Sequence, residues 1–248
     1  MSKLQWRRLL WTGVILGIWQ AVCSFELVNP IILASPLDIY RAASKSGGEF
    51  LIAFRLTALE ILTAIAIAWI SGILVGAVLG RMAIFGRVVS PIISSLFAVP
   101  LIIWYPYFIV WLGIGPESKI AYAALYGFFP IALNTLSAVQ LVDRRYLTLG
   151  RSMGASQFQI FVRIVVMFAL PGIISGLRIG TSLVVIGVIV AEMLASIGGL
   201  GFVISYHRTS FDTGHVYLGI LLALVCTLTV NWALSRLERK VDHWRELR

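Results

Sequence analysis

Asp143-Arg144-Arg145-Tyr146-Leu147-Thr148-Leu149-Gly150-Arg151-Ser152-Met153-Gly154-Ala155-Ser156-Gln157-Phe158-Gln159-Ile160-Phe161-Val162-Arg163 is the longest break in an otherwise apolar second half of the chain. It holds four arginines and one carboxylate. Leu149, Met153, Phe158 and Phe161 interleave with polar residues at loosely helical spacing. Gly150 and Gly154 would interrupt a straight helix at low cost in an exposed position. The pattern predicts two short amphipathic helical pieces lying along a membrane surface and joined near Gly154. The same residues also suit a plain basic loop that fixes topology.

On both sides of this stretch the chain is apolar. Of 248 residues, 59% are hydrophobic and 12% charged. A soluble domain carries roughly a quarter charged residues. The deficit runs along the whole length, which makes this an all-α integral membrane protein. Cys23 and Cys226 fall inside apolar runs, and no disulfide framework or Cys/His metal spacing exists. The net charge of +9 suits membrane orientation better than nucleic acid.

Six spans are expected, over about residues 9–25, 56–80, 88–114, 120–142, 166–195 and 216–236. The first follows Lys3, Arg7 and Arg8 and lacks a small-x-small cleavage site, so it reads as an uncleaved span. Residues 26–55 form a polar connector. In it Ser35-Pro36-Leu37-Asp38 has the pattern of a capped helix start, and that helix should end by Gly47-Gly48. Gly72, Gly76 and Gly80 recur every fourth residue, as do Gly172, Gly176 and Gly180. Such rows line one helix face and let another backbone approach.

The third uncharged run contains Pro91, Pro100 and Pro106, which break helical hydrogen bonding. Broken backbone at membrane depth needs protein or a water-filled cavity around it. Trp104 and Tyr105 sit among these prolines, read as a pathway lining against the alternative of an interfacial aromatic belt. Asn134, late in the fourth span, either hydrogen-bonds between helices or faces the path. Glu192, near the end of the fifth, is a gate or structural carboxylate, or else lies at the outer interface. Glu60 stands near the start of the second span.

Orientation follows from counting basic residues in alternate loops. The set that includes both termini and the Gly154 stretch holds 14, and the other set holds 5. Basic residues are retained in the cytoplasm, so both termini and residues 143–165 are expected there, with residues 26–55 outside. No Gly-x-x-x-x-Gly-Lys-Ser/Thr loop occurs, so no P-loop binds ATP in this chain. The histidines, His207, His215 and His243, lie away from span centres. The sequence offers no catalytic, cofactor or metal residues.

Gly154-Ala155-Ser156, Ile160-Phe161, and Leu170-Pro171-Gly172-Ile173-Ile174-Ser175-Gly176-Leu177-Arg178 resemble the cytoplasmic loop and following helix of ABC-importer permeases. Phe129–Thr135 and Ala191–Gly201 extend the likeness, which is nearest to the nitrate/sulfonate/taurine branch. The family's Glu-Ala-Ala positions hold Thr148-Leu149-Gly150, and its first proline is Met167. Phe97 and Leu101 replace two further family residues. The resemblance implies a type I ABC-importer permease fold in the bacterial inner membrane. It also implies a homodimer, a separate ATPase dimer that carries ATP and Mg, and an extracytoplasmic substrate-binding protein. Arg151, Ser152, Met153, Gly154, Ala155, Ser156, Gln157 and Phe158 would then couple to the ATPase. The competing class is an ion-gradient-driven secondary transporter with Glu60 or Glu192 as coupling carboxylate. A membrane-embedded enzyme has no motif in its support.

Overall fold

A computed structural model describes the backbone of residues 3–246. Side chains are described except at positions 1–5, 8, 9, 83 and 237–248. The basic side chains of Lys3, Arg8 and the tail beyond Arg236, counted above, lie outside that description. All regular elements among the described residues are helical. They are α1 (Lys3–Ser24), α2 (Pro36–Arg81), α3 (Ala83–Ala98), a 3-10 turn (Leu101–Trp104), α4 (Tyr105–Leu112), α5 (Pro116–Gln140), α6 (Arg144–Ser152) and α7 (Gln157–Ile160). A π turn (Phe161–Val165) follows, then α8 (Val166–Leu194), α9 (Leu200–Thr209) and α10 (Thr213–Glu246). Among the described residues, four helices are long and apolar enough to cross a membrane, or five if the bent α3–α4 pair counts as one. Leu10–Ser24 is a shorter apolar helix.

The chain divides into two compact units. One comprises Met1–Thr57 and Glu192–Cys226; the other comprises Ala58–Ala191 and Thr227–Arg248. The core of the first unit gathers Ile39, Phe50, Leu200, Val203 and Leu218, with Trp19 packed against it. Trp19 Nε1 donates to the Ala34 carbonyl at 3.1 Å, which ties α1 to the connector. Ser35 and Asp38 form a reciprocal cap. The Asp38 N–H donates to Ser35 Oγ at 3.1 Å, and the Ser35 N–H donates to Asp38 Oδ2 at 3.2 Å. The helix so started breaks just before Gly47-Gly48, where its glycines place an end. Ser46 is non-helical (φ −120°, ψ 17°), and α2 is two helices joined across a kink there. Glycine costs a helix about 1 kcal/mol, which favours a break at this point. Phe50 and Ala53, one and two turns later, are buried in the same core.

The second unit is built on α5. Over half of α5's apolar window is buried, against a third or less for the other three long helices. The proline-rich run breaks between α3 and α4, whose axes differ by 84°. Val99 precedes Pro100 and is extended (φ −69°, ψ 132°), because a proline ring disfavours helical backbone in the residue before it.

Candidate functional site

The Gly154 stretch folds as two helices with a defined corner. Asp143 caps α6 by accepting the Arg145 N–H at 2.8 Å. At the other end Ala155 N–H donates to Gly150 O at 3.0 Å, and Gly154 N–H to Arg151 O at 2.9 Å. This pair of bonds is a Schellman ending, and it needs a left-handed residue at the position Gly154 holds. Gly154 has φ +77°, and no atom lies within 4 Å of where its Cβ would stand. Ser156 then starts α7 with a capping box, accepting the Gln159 N–H while Gln159 Oε1 accepts the Ser156 N–H. Gly150 is buried under Ile164 and Ile160, so its side of α6 packs inward. Leu149, Met153 and Phe158 stay exposed, the last two to 78% and 75%. Arg151, Ser152 and Gln157 are also exposed, and Ala155 is half-buried. The corner therefore presents three apolar side chains on a basic background.

Both glycine rows meet α5, and Ile131 is touched by both. A Cβ on Gly72 would stand 2.7 Å from Ile131 Cβ, one on Gly76 2.6 Å from the Ala132 carbonyl oxygen, and one on Gly80 2.7 Å from Val139 Cβ. From α8, Gly176 would meet Asn134 Cβ at 2.8 Å and Gly180 the Gly127 carbonyl oxygen at 2.7 Å. Gly172 faces Ala138. Asn134 thus lies on the α5–α8 contact. Its side-chain amide does not bridge helices: it donates to Pro130 O in its own helix at 2.8 Å. Tyr105 is buried, its ring 5.1 Å from that of Tyr122, whereas Trp104 is half-exposed beside Tyr107.

The two span carboxylates have different partners. Glu192 is buried in the first unit. Thr57 Oγ1 donates to its Oε1 at 2.7 Å, and the Gly201 N–H donates to its Oε2 at 2.8 Å. The Leu200 N–H donates to Thr57 Oγ1 at 2.8 Å. Together Glu192 and Thr57 satisfy amides in the first turn of α9 that have no partner within the helix. Gly199, at φ +101°, leaves the space the carboxylate fills. In the second unit, Glu60 pairs with Lys119 Nζ at 2.6 Å, both side chains buried. Lys119 stands in the first turn of α5, and no local pattern in the sequence marks it as buried.

One cluster was not anticipated. His207 and His215 stack with centroids 4.4 Å apart and planes 13° from parallel. Asp212 Oδ2 lies 2.8 Å from His215 Nδ1 and 3.8 Å from His207 Nδ1, and Ser46 Oγ lies 3.0 Å from His215 Nε2. Ligand atoms of the trio fall within 4.8 Å of one another. Imidazole lone pairs lie in their ring planes, and two near-parallel stacked planes do not meet between the rings, so one ion could lie in both planes only if a ring turned. Burial pushes the His207 pKa below its ordinary value, and neighbouring His215 adds to this.

Residues 70–243 match the family described as binding-protein-dependent transport system inner membrane component. The chain is 29% identical to the taurine transport system permease protein of Escherichia coli, covering 98% of this chain and 96% of that protein. It is 30% identical to the formylaminopyrimidine transport permease protein of Halalkalibacterium halodurans, covering 94% and 93%. It is also 30% identical to the putative aliphatic sulfonates transport permease protein of Bacillus subtilis, covering 96% and 87%. Among solved structures it matches a chain of the inward-facing MetNI methionine ABC transporter, with a TM-score of 0.67 at 21% identity, over 78% of this chain and 96% of that one.

Proposed function

This chain belongs to the family of binding-protein-dependent transport system inner membrane components, and on that premise we propose how its parts serve an importer. It is a multi-pass inner-membrane permease of the taurine/sulfonate-type ABC branch, not an ion-gradient-driven carrier. In our reading six spans cross the membrane: α1, the apolar part of α2, the bent α3–α4 pair, α5, α8 and α10. Both termini and the Gly154 corner are cytoplasmic, which the 14-to-5 distribution of basic residues supports. Two copies form the path. Two ATPase subunits, holding ATP and Mg, bind beneath them, and a substrate-binding protein delivers a small solute from above. This chain itself carries out no catalysis and binds no cofactor.

The observation that carries the coupling role is the Gly154 corner. Its left-handed glycine fixes the angle between α6 and α7 and turns Leu149, Met153 and Phe158 outward. Exposed apolar side chains set in a polar rim are what a partner groove takes up. These helices would transmit ATP-driven closure of the ATPase pair. Gly154→Ala strains only the backbone, since space is open there, and Phe158→Asp alters only the docking face. Both variants should insert normally yet lose ATPase co-purification and transport. If both retain substrate-stimulated ATP hydrolysis, this loop is not the coupling element.

A further inference from the structure

We propose that a basic cavity in the second unit is a site for the headgroup of an anionic phospholipid. The cavity measures about 520 Å³, and Arg81, Arg144 and Arg151 stand in its wall, with Arg87, which has a partner of its own, beside them. Among the described residues, no carboxylate lines it. The acid adjacent in sequence, Asp143, is committed elsewhere: it caps α6 through the Arg145 N–H and lies 3.9 Å from Arg145 Nε. Arg144, Leu147 and Arg151 share one stripe of α6 at helical spacing, so two of the charges lie on one helix face, while Arg81 comes from the end of α2. Guanidiniums set around one cavity repel one another, and a phosphate diester would offset that repulsion while accepting their N–H groups.

The remaining wall identifies the kind of anion. Val139, Leu147 and Phe161 give the cavity an apolar side, and Arg81 lies over the Phe161 ring at 5.8 Å. Gly80 and Arg81 directly follow the uncharged run of α2, and Val139 and Gln140 close the apolar α5. The cavity therefore opens where two membrane-length helices leave hydrocarbon, at headgroup depth. A ligand there needs a phosphate next to an apolar body, which is the chemistry of an anionic lipid. Arg151 and Gln157 belong to this wall and to the loop assigned above to coupling. A bound headgroup would thus brace α6 against α7. That consequence rests on the coupling reading; the lipid site does not.

The test is retention of phosphatidylglycerol against phosphatidylcholine by the intact purified chain, read by native mass spectrometry. The wild type should retain phosphatidylglycerol about tenfold better, and Arg81→Gln/Arg144→Gln should lose that preference. Arg145→Gln, paired with Asp143, should keep it. The wild-type lipid comparison needs no variant, so a misfolded variant does not spoil it. Equal retention of the two lipids overturns the proposal. So does displacement of phosphatidylglycerol by millimolar inorganic phosphate, which would assign the cavity to a free anion. Lost ATPase co-purification in the double variant with unchanged lipid retention would assign the arginines to an acidic partner surface and also overturn it. Failure of the Gly154 and Phe158 variants to uncouple would leave these lipid measurements unaffected.

Discussion

Lys119 Nζ lies 2.6 Å from Glu60 Oε1, with only 4% and 6% of the two side chains exposed. A carboxylate at position 60 taken alone suggests an electrostatic bar to anionic solutes. Paired with a buried ammonium, it contributes no net charge to its surroundings. An anionic cargo of the sulfonate kind is therefore compatible with Glu60.

Breaking this pair on one side should destabilise the second unit strongly. Lys119→Met leaves a buried carboxylate without its ammonium, at a cost of about 3–5 kcal/mol. Glu60→Gln with Lys119→Met should recover most of that loss. Thermal unfolding in detergent across the double-mutant cycle reads the coupling. Additive effects would mean the two charges do not depend on each other.

Thr57 and Glu192 should act as one unit in holding the start of α9. Thr57→Val removes a donor to Glu192 and an acceptor for the Leu200 N–H, a loss of about 1–3 kcal/mol. Thr57→Ser should be nearly neutral. Hydrogen exchange at Leu200 and Gly201 should quicken in Thr57→Val and Glu192→Gln. Unchanged exchange combined with lost transport in Glu192→Gln would instead favour a gating carboxylate.

The glycine rows should tolerate no side chain at their closest contacts. Gly76→Ala and Gly176→Ala place a methyl group against the Ala132 carbonyl and Asn134 Cβ, costing about 1–3 kcal/mol each. Gly17→Ala has open space and serves as the control. Fluorescence-detected size exclusion after heating should separate the first two from the third. Equal melting of all three would show that these contacts relax freely.

Acidification should loosen the first unit. Burial, aided by His215, holds the His207 pKa below 6.5 although Asp212 and Glu49 pull it upward. Below 6.5 the unfolded chain takes up a proton that the folded chain refuses until its lower pKa is reached, so stability falls as pH falls through that window. Asp212 adds the same sign at lower pH. Burial raises its pKa, but hydrogen bonding and charge from His215 outweigh this and bring it below 3.8. The melting temperature should drop as pH falls below about 6.5, and His207→Phe should flatten that slope. A slope unchanged in His207→Phe would place the titration elsewhere.

Local chemistry made several elements legible in the sequence. The Ser35–Asp38 cap needs only residues three apart, and the helix break before Pro100 needs only a proline. The corner at Gly154 is marked by a glycine between two amphipathic stretches. Hydrophobic runs longer than a bilayer declare the class of protein, because charge is excluded from hydrocarbon wherever the chain folds.

Tertiary structure alone decided which distant groups meet. Glu60 and Lys119 are separated by fifty-nine positions, and nothing near either predicts the other. The same holds for Thr57 and Glu192, whose bond closes a gap of 135 residues. Helical periodicity shows that Gly72, Gly76 and Gly80 share a face but not that α5 lies against it. At Ser46 local and tertiary signals agree: the helix breaks just before Gly47-Gly48, and the helix that restarts there packs Phe50 and Ala53 into the core. Periodicity is a property of one helix, whereas pairing of buried charges and close backbone approach are properties of two, and only the assembled fold chooses the second.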